Sequence, residues 1–301
     1  MNTLRTDRCR RTFVALSLTL CAAAHAAAQG GQPGAPERSQ QLLVDVPSPE
    51  AQRGRQLLEQ GDVEGAVKAL RPAVERDRLD GEAWHLLGLA YARQGERQDA
   101  LEAFEQAVAV RLDRLGPTIP SAERFVALPA EVRSAAKQRS LERHREALES
   151  VEAYLQQNPK DADFWRAQAE TVKAHAEHVA ALDTEFEGLR PDSKGARLVI
   201  HAKPNPGYTA EARRNGTGGR VRIRAIFAAD GTVKHPLAVR PLPHGLTEKA
   251  LEAARQVRFQ PATVDGRPVS QFLMLEYGFE IHDRGPGFRP PIFPRPRPRV
   301  P

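Results

Sequence analysis

Cysteine is almost absent from this 301-residue chain, which has only Cys9 and Cys21, both near its start. If that segment is removed, the remaining chain has no disulfide, no thiolate nucleophile and no cysteine metal site. Long apolar runs are equally scarce, and apart from residues 12–28 no segment of the sequence is a candidate to span a bilayer. The glycine-flanked serine of many hydrolases and the phosphate-binding loop are missing too. These absences count against most classes of enzyme.

An excess of basic charge is confined to the two ends of the chain. Of the formal net charge of +6, residues 1–28 carry +3 and residues 283–301 carry +4, which leaves −1 for everything between them. Proteins that bind nucleic acid need a basic face, because binding releases counterions from the phosphates. A near-neutral body, in a chain with 41% apolar and 27% charged residues, indicates a globular protein that does not bind nucleic acid.

The first 28 residues have the composition of an export signal. Arginines at positions 5, 8, 10 and 11 precede the apolar run, and Ala24-His25-Ala26 and Ala26-Ala27-Ala28 are candidate cleavage sites. The alternative is an uncleaved inner-membrane anchor, but residues 12–28 number 17, whereas a spanning helix needs about 20. We therefore predict a signal peptide over 1–28, a flexible linker over 29–49 and a periplasmic protein.

A repeat of 34 residues follows the linker. Residues 84–107 match the tetratricopeptide pattern, in which W-x2-L-G-x2-Y is followed by A-x3-F-x2-A. The signature residues are Trp84, Leu87, Gly88, Tyr91, Ala100, Phe104 and Ala107. One repeat earlier, Gly54, Leu57, Ala66 and Leu70 occupy the same frame. The small residues allow two helices to approach closely and the larger ones fill the seam, so the sequence predicts two helix-turn-helix repeats.

The helical region is predicted to extend over residues 50–186. Helical patterns resume at Glu131 after an interruption at 116–129, and Trp165 falls where another repeat would start. Because a single repeat cannot bury its own apolar face, about three are needed. We interpret residues 130–185 as degenerate hairpins that complete the array, with an ordinary helical bundle as the alternative.

The last third of the chain has strand patterns on either side of a helix. An alternating pattern predicts a strand with Arg220, Arg222 and Arg224 on its solvated face and apolar residues on the other. Asp230–Gly231 then favours a hairpin turn, and after a helix the alternation returns in a last strand over 273–281. A helix over a hairpin and a closing strand gives a small α+β unit with one buried and one wet face.

Several short motifs in this unit occur in the order found in the C-terminal domain of the TonB family, which residues 198–282 resemble. The motif positions are Tyr208, Gly219, Gly231, Phe259, Pro261 and Gly266. Thr209 departs from the family, which usually has a proline there. With a linker at 187–197, the predicted architecture is a mainly α helical-repeat domain followed by a small α+β TonB-like domain.

The resemblance also implies a way of binding. TonB C-terminal domains bind a short extended peptide of an outer-membrane receptor beside a strand of their sheet, so that main-chain hydrogen bonds supply affinity. Carried over to this sequence, the receiving strand is the last one. The residues expected to meet the peptide are Gln271, Met274, Glu276 and Glu280. Phe259, Tyr277 and Phe279 are expected in the core instead.

Two functions are compatible with this resemblance. In the first, the protein is an energy transducer that couples an inner-membrane motor to transport across the outer membrane. The family's anchor helix carries a serine and a histidine four residues apart, whereas Ser17 and His25 are eight apart. In the second, a soluble periplasmic scaffold binds an envelope protein with the same domain. In both, the groove of the helical repeats would bind a second protein partner.

Residues 283–301 form a tail rich in proline and arginine. Alternating proline and arginine over Pro294–Arg299 cannot pack into a core, and it predicts an extended polyproline II segment. Such a segment could lie against anionic lipopolysaccharide, peptidoglycan or an acidic partner. The alternative is a solvated tail without function.

The sequence offers little for catalysis. His175 and His178 lie on one face of a predicted helix, and two imidazoles can begin a metal site, but no third ligand stands at a suitable spacing. We prefer a solvated helix face, and a metal-dependent enzyme is a third class of function. We therefore expect no enzymatic activity, no bound metal and no cofactor.

Overall fold

The computed structural model describes residues 47–115, 121–190 and 192–280. The predicted signal segment, most of the linker before the repeats and the whole Pro/Arg tail lie outside these ranges. The first part of the described chain is helical. Its elements are α1 (Pro49–Glu59), α2 (Val63–Arg76), α3 (Gly81–Gln94), α4 (Arg97–Asp113), α5 (Ala122–Val126), α6 (Ala130–Gln156) and α7 (Ala162–Glu185). In the described ranges no helix is long and apolar enough to cross a membrane.

Helices α1 to α4 form two equivalent hairpins, as the repeat predicts. A Cβ atom added to Gly54 would lie 2.5 Å from the side chain of Leu70, and one added to Gly88 would lie 2.6 Å from the ring of Phe104. Both pairs are separated by 16 positions and shifted by one repeat. Glycine is therefore needed where the first helix of each hairpin crosses the second, because any side chain would displace a buried partner.

Helices α6 and α7 differ from the repeats in length. They have 27 and 24 residues, against 11 to 17 for α1 to α4. Lys137 at the start of α6 pairs with Asp183 near the end of α7 at 2.5 Å, so the two helices run antiparallel. At the other end of the pair, Asp161 accepts hydrogen bonds from Tyr154 and Trp165. Residues 130–185 thus form one long hairpin, which packs against α4.

The second part of the described chain is rich in strands. Its elements are β1 (Gly195–Ala196), β2 (Val199–Ala202), α8 (Ala210–Arg214), β3 (Gly219–Phe227), β4 (Val233–Arg240), α9 (Leu246–Arg255), β5 (Arg258–Gln260), β6 (Ala262–Val264), β7 (Arg267–Val269) and β8 (Gln271–Phe279). The largest sheet is antiparallel with the order β4-β3-β8. Two smaller sheets have the strand orders β1-β6-β7 and β2-β5. The predicted linker over 187–197 therefore ends in a paired strand.

One face of the large sheet packs against α9 through apolar side chains. Ile223 and Phe227 of β3 are fully buried, as are Leu246 and Ala250 of α9. Phe227 meets Phe259 with ring centroids 4.7 Å apart. The alternation of β3 and the amphipathic pattern of α9 account for this layer completely. The core predicted for Phe259, Tyr277 and Phe279 is present, with all three buried.

The opposite face of the large sheet is not wet, which corrects the expectation from the sequence. Leu237 and Val239 of β4 are fully buried and belong to the same apolar cluster as the cores of the helical repeats. Arg224, placed by its pattern on a solvated face, is 1% exposed. The reason is that α4 and α7 pack across β4, so the helical part covers the face that a free α+β domain would expose.

Polar contacts fix the helical part to this face. Gln168 of α7 accepts a hydrogen bond from the Ala238 amide at 2.8 Å, in a buried position. Arg222 forms an ion pair with Asp113 at the end of α4. Near the end of α7, Glu185 accepts from the Ser270 amide at 2.5 Å. The two parts of the described chain therefore share one continuous interface.

Candidate peptide-binding edge

Strand β8 lies at the edge of the large sheet. In the described part of the chain, it pairs only with β3, in an unbroken antiparallel register from Gly219 opposite Phe279 to Phe227 opposite Gln271. Its nine residues leave a long row of main-chain groups on the other side. An exposed edge of this kind is a template for pairing with a further strand.

One contact shows which residues of β8 present their main-chain groups to the open edge. The Lys203 side chain donates a hydrogen bond to the Glu276 carbonyl at 2.6 Å. In an antiparallel ladder, the N–H and C=O of one residue point to the same side, and the side alternates along the strand. Phe272, Met274, Glu276 and Gly278 therefore offer amides and carbonyls to a partner. Lys203 covers one of these groups, as lysines commonly do at sheet edges.

Two clefts lie at the two ends of this edge. The first, which we call the Tyr208 cleft, has a volume of about 550 Å³. It is lined by Asn205, Pro206, Tyr208, Arg213, Gly278, Phe279 and Glu280. The second, which we call the Ile200 cleft, has about 860 Å³ and includes Arg124, Arg197, Leu198, Ile200, Gln271 and Leu273. Because both clefts include residues of β8, a peptide paired to the edge would reach both.

The four residues expected to meet the peptide do not form one surface. Glu276 is exposed and pairs with Arg220 at 2.8 Å, and Glu280 lines the Tyr208 cleft. Met274 faces the helical part instead, where it packs against the apolar cluster of the repeats. Gln271 has the parity of the core residues on β8 and lines the Ile200 cleft. The four side chains therefore lie on both faces of β8, and the helical part covers one of them. Their role in peptide binding stays a prediction.

The motif residues of this domain have structural roles. The Tyr208 hydroxyl donates to the Thr217 carbonyl, and its ring meets Phe279 edge to face with centroids 6.0 Å apart. Gly231 and Gly266 adopt positive φ angles of 82° and 77° in the turns between paired strands, a conformation that favours glycine. Gly219 has a φ of 143° at the start of β3. These residues shape the turns that place the edge strand.

Sequence reasoning missed a buried polar cluster on the covered face of the sheet. The Arg224 guanidinium lies 3.9 Å from the ring centroid of Phe272, and His144 and His175 lie close to it. In the described chain, Nε and one terminal nitrogen of Arg224 have no hydrogen-bond partner. Burial lowers the pKa of Arg224 to about 9 and, together with the Arg224 charge, lowers that of His144 to about 4. No sequence motif marks these residues; only the packing of two regions brings them together.

The solvated helix face expected for His175 and His178 is therefore wrong. His175 is fully buried, and its Nε2 lies 2.6 Å from the His235 carbonyl oxygen. Both imidazoles meet the Phe272 ring with centroids 5.2 Å apart. This face of α7 is buried because β4 and β8 pack on it. Across the described residues, no group of three or more potential ligands could hold a metal ion.

The first helices of the two repeats are joined by an ion network. Glu82 of α3 pairs with Arg55 of α1 and, at 2.5 Å, with the buried Arg111 of α4. Arg111 also donates to the Glu146 carbonyl and the Ser150 hydroxyl of α6. The array is therefore held to the long hairpin by polar contacts as well as by its apolar seam.

Comparison with known families supports both regions. Residues 204–281 match the family described as Gram-negative bacterial TonB protein C-terminal, and residues 52–117 match the tetratricopeptide repeat family. No curated protein matches the chain. Both families point to protein–protein interaction, and the first points to the cell envelope. The chain therefore contains a tetratricopeptide repeat region followed by a domain similar to the C-terminal domain of TonB proteins.

Proposed function

We propose that the open edge of β8 binds an extended peptide segment of an outer-membrane receptor by strand addition. The observation that supports this best is the edge itself, with a main-chain carbonyl of Glu276 directed away from β3. A peptide along this edge gains several main-chain hydrogen bonds, each of which contributes about 0.5–1.5 kcal/mol net. Its side chains then select the sequence. The protein acts by binding rather than by catalysis.

The two clefts supply the side-chain part of recognition. Leu198 and Ile200 line the Ile200 cleft with Leu273, and Ile200 is 38% exposed. An apolar peptide side chain that covers them would remove apolar area from water, at about 25 cal/mol per Å². Arg124 and Arg197 line the same cleft. The favoured peptide is therefore extended, with an apolar residue at this end.

The covered face of the sheet connects the peptide site to the helical repeats. Since α4 and α7 pack on β4, a pull on the edge strand is transmitted to the helical array rather than to a flexible joint. This arrangement suits a protein that couples a receptor to a second partner bound by the repeats. Energy-coupled transport across the outer membrane is the first form of this function. A periplasmic scaffold without energy coupling is the second.

The edge is tested with a substitution that removes one main-chain donor. Glu276→Pro deletes the amide that faces the open edge while leaving the groups that pair with β3. Glu276→Thr is the matched control, because it removes the same carboxylate and keeps the amide. With a fluorescein-labelled synthetic peptide of alternating valine and threonine, we expect anisotropy to show at least a tenfold loss of affinity for the proline variant only. Equal affinities in both variants would place the peptide elsewhere.

The two forms of the function differ at the N-terminus of the native protein. An energy transducer needs an inner-membrane anchor, so mass spectrometry should find an intact Met1 end in the membrane fraction. A scaffold should begin at Ala27 or Gln29 after cleavage. This measurement does not test the peptide site. Its outcome decides only between the energy transducer and the scaffold.

A further inference from the structure

A third cleft, of about 440 Å³, lies where the helical part meets the loop between β4 and α9. We call it the Phe164 cleft. Its apolar lining consists of Phe164 and Trp165 from the first turn of α7 and Pro241, Leu242 and Pro243 from the loop. Its volume falls within the range of about 300–1,000 Å³ typical of ligand pockets. Neither the peptide edge nor the two clefts beside it includes these residues.

Three carboxylates contribute to the polar lining of this cleft. Glu105, Asp161 and Glu248 line it together with His244 and Thr247, and among the described residues no lysine or arginine does so. Asp161 accepts from the Tyr154 hydroxyl at 3.0 Å and from the Trp165 indole at 2.9 Å, so both of these partners are neutral. Partial burial and the neighbouring charges of Asp161 and Glu102 raise the pKa of Glu105.

Two helix starts reduce this negative charge without cancelling it. The N-cap residues of α7 and α9 are Asp161 and Gly245, and both line the cleft. Each helix start contributes roughly half a positive charge. Against three carboxylates, this leaves about two negative charges in a cleft with an aromatic and proline wall. The cleft is therefore suited to a cationic ligand with apolar rings.

We propose that this cleft binds the Pro294–Arg299 segment of the same chain. The segment alternates proline with arginine three times. A polyproline II helix has three residues per turn, so each of its edges alternates proline and arginine. Proline rings pack on aromatic side chains in such complexes, and guanidinium groups pair with carboxylates. The segment thus presents both chemistries that the cleft requires.

The position of the chain end supports binding within one molecule. Phe279, the last residue of β8, lies opposite Gly219 in the ladder. A Cβ atom on Gly219 would lie 3.3 Å from the Leu242 side chain, which lines the Phe164 cleft. The tail therefore leaves the sheet beside the cleft. At about 3.1 Å per residue, residues 281–293 can extend roughly 40 Å, so they reach it without difficulty.

The positive charge of the tail makes it a better ligand for this cleft than other parts of the chain. Residues 283–301 contain five arginines and one aspartate. The cleft carries the opposite sign, and it borders both the helical part and the C-terminal domain. A bound tail would therefore hold the two parts together. An anionic envelope component is the competing ligand for the same arginines, and the experiment separates the two.

The test uses a chain that ends at His282, a deletion that removes no described residue. A synthetic peptide with the sequence of residues 294–301 is added in trans. Trp165 lines the cleft and is one of only two tryptophans, so Trp84→Phe makes its fluorescence a specific reporter. We expect saturable binding with a Kd of about 1 mM or tighter, because a short tether gives an effective concentration in the millimolar range. The full-length chain should bind the added peptide more weakly, because its own tail competes at this effective concentration. The loss should be about twofold if the Kd is about 1 mM and about tenfold if it is about 0.1 mM.

Paired substitutions locate the site. Glu105→Gln with Glu248→Gln should weaken trans binding by about twofold to thirtyfold, which corresponds to two exposed ion pairs of about 0.2–1 kcal/mol each. Glu59→Gln with Glu64→Gln removes the same charge from exposed positions on α1 and α2 and should leave binding unchanged. A peptide with glycine in place of each proline should bind more weakly at equal charge. Circular dichroism of each variant confirms that the fold is retained.

Three results would overturn the proposal. The first is a trans peptide that shows no saturable change in Trp165 fluorescence up to about 10 mM. The second is equal loss of binding in the cleft variant and the control variant, which would mean that only net charge matters. The third is a full-length chain whose tail binds anionic vesicles and leaves the affinity for added peptide equal to that of the shortened chain. None of these outcomes bears on strand addition at β8.

Discussion

The two faces of the large sheet contrast sharply. The face under α9 is filled by apolar side chains that alternate along β3 and β8, such as Ile223 and Leu275. The face under α4 and α7 also buries Leu237 and Val239, but it encloses the Arg224 guanidinium and the His144 and His175 rings. One face resembles the core of an independent domain, whereas the other is an interface between two regions. The comparison shows that burial alone does not decide whether a surface is apolar.

The apolar face should respond most strongly to truncation. Phe227 is fully buried and contacts the Phe259 ring. We expect Phe227→Ala to lower the free energy of unfolding by about 3–5 kcal/mol, because it removes buried area and leaves a cavity. Urea unfolding followed by circular dichroism measures this change. A loss below about 1 kcal/mol would mean that the face is poorly packed.

Acid should act mainly through the polar face. The pKa of His144 is lowered to about 4 by burial and by the Arg224 charge, whereas an unfolded histidine titrates near 6.5. Below pH 6.5 the unfolded state binds more protons, so stability falls as the pH falls towards 4. For His144 alone, we expect a loss of about 2 kcal/mol between pH 7 and pH 5.

The groups around this site add to that expectation. Burial is the largest cause of the lowered pKa of His175. The charges of Arg224 and His144 lower this pKa further, whereas the hydrogen bond with the His235 carbonyl raises it. His178 has a lowered pKa as well, with Glu185 opposing the effect of burial. Urea midpoints at both pH values, for the parent and for His144→Gln, isolate one histidine. If His144→Gln loses as much stability between pH 7 and pH 5 as the parent does, His144 does not contribute to the acid sensitivity.

A single hydrogen bond on the polar face should have a smaller effect. The Gln168 side chain accepts from the buried Ala238 amide. Gln168→Met keeps the length of the side chain but leaves that amide without a partner, at a cost of about 1–3 kcal/mol. Gln52→Met, at an exposed position on α1, is the control. Equal midpoints for both variants in urea unfolding would indicate that water replaces the lost acceptor.

The difference between the faces also sets the limit of sequence-based prediction. The repeat pair could be predicted because Gly88 and Phe104 contact each other within one hairpin, so local spacing contains the information. The α9 face could be predicted because its residues alternate. Arg224 alternates too, but its surroundings come from α6, about 80 residues earlier, where His144 lies. The packing of Met274 against the repeats could not be predicted for the same reason, since the edge strand has one face under α9 and the other against the repeats.

The smallest change in stability is expected for Arg224→Met, and it distinguishes an interface from a core. The charge lies over the Phe272 ring at 3.9 Å, which contributes about 2 kcal/mol when desolvated. No ion pair of Arg224 with a carboxylate is present in the described part of the chain, and burial of an unpaired charge costs several kcal/mol, so an apolar side chain of similar length should be neutral or stabilising. Because the Arg224 charge lowers the pKa of His144 and His175, the variant should also lose less stability between pH 7 and pH 5. Urea midpoints at the two pH values measure both effects. A loss above about 3 kcal/mol at pH 7, which is the size expected when a buried ion pair is broken, would instead show that the fold requires Arg224.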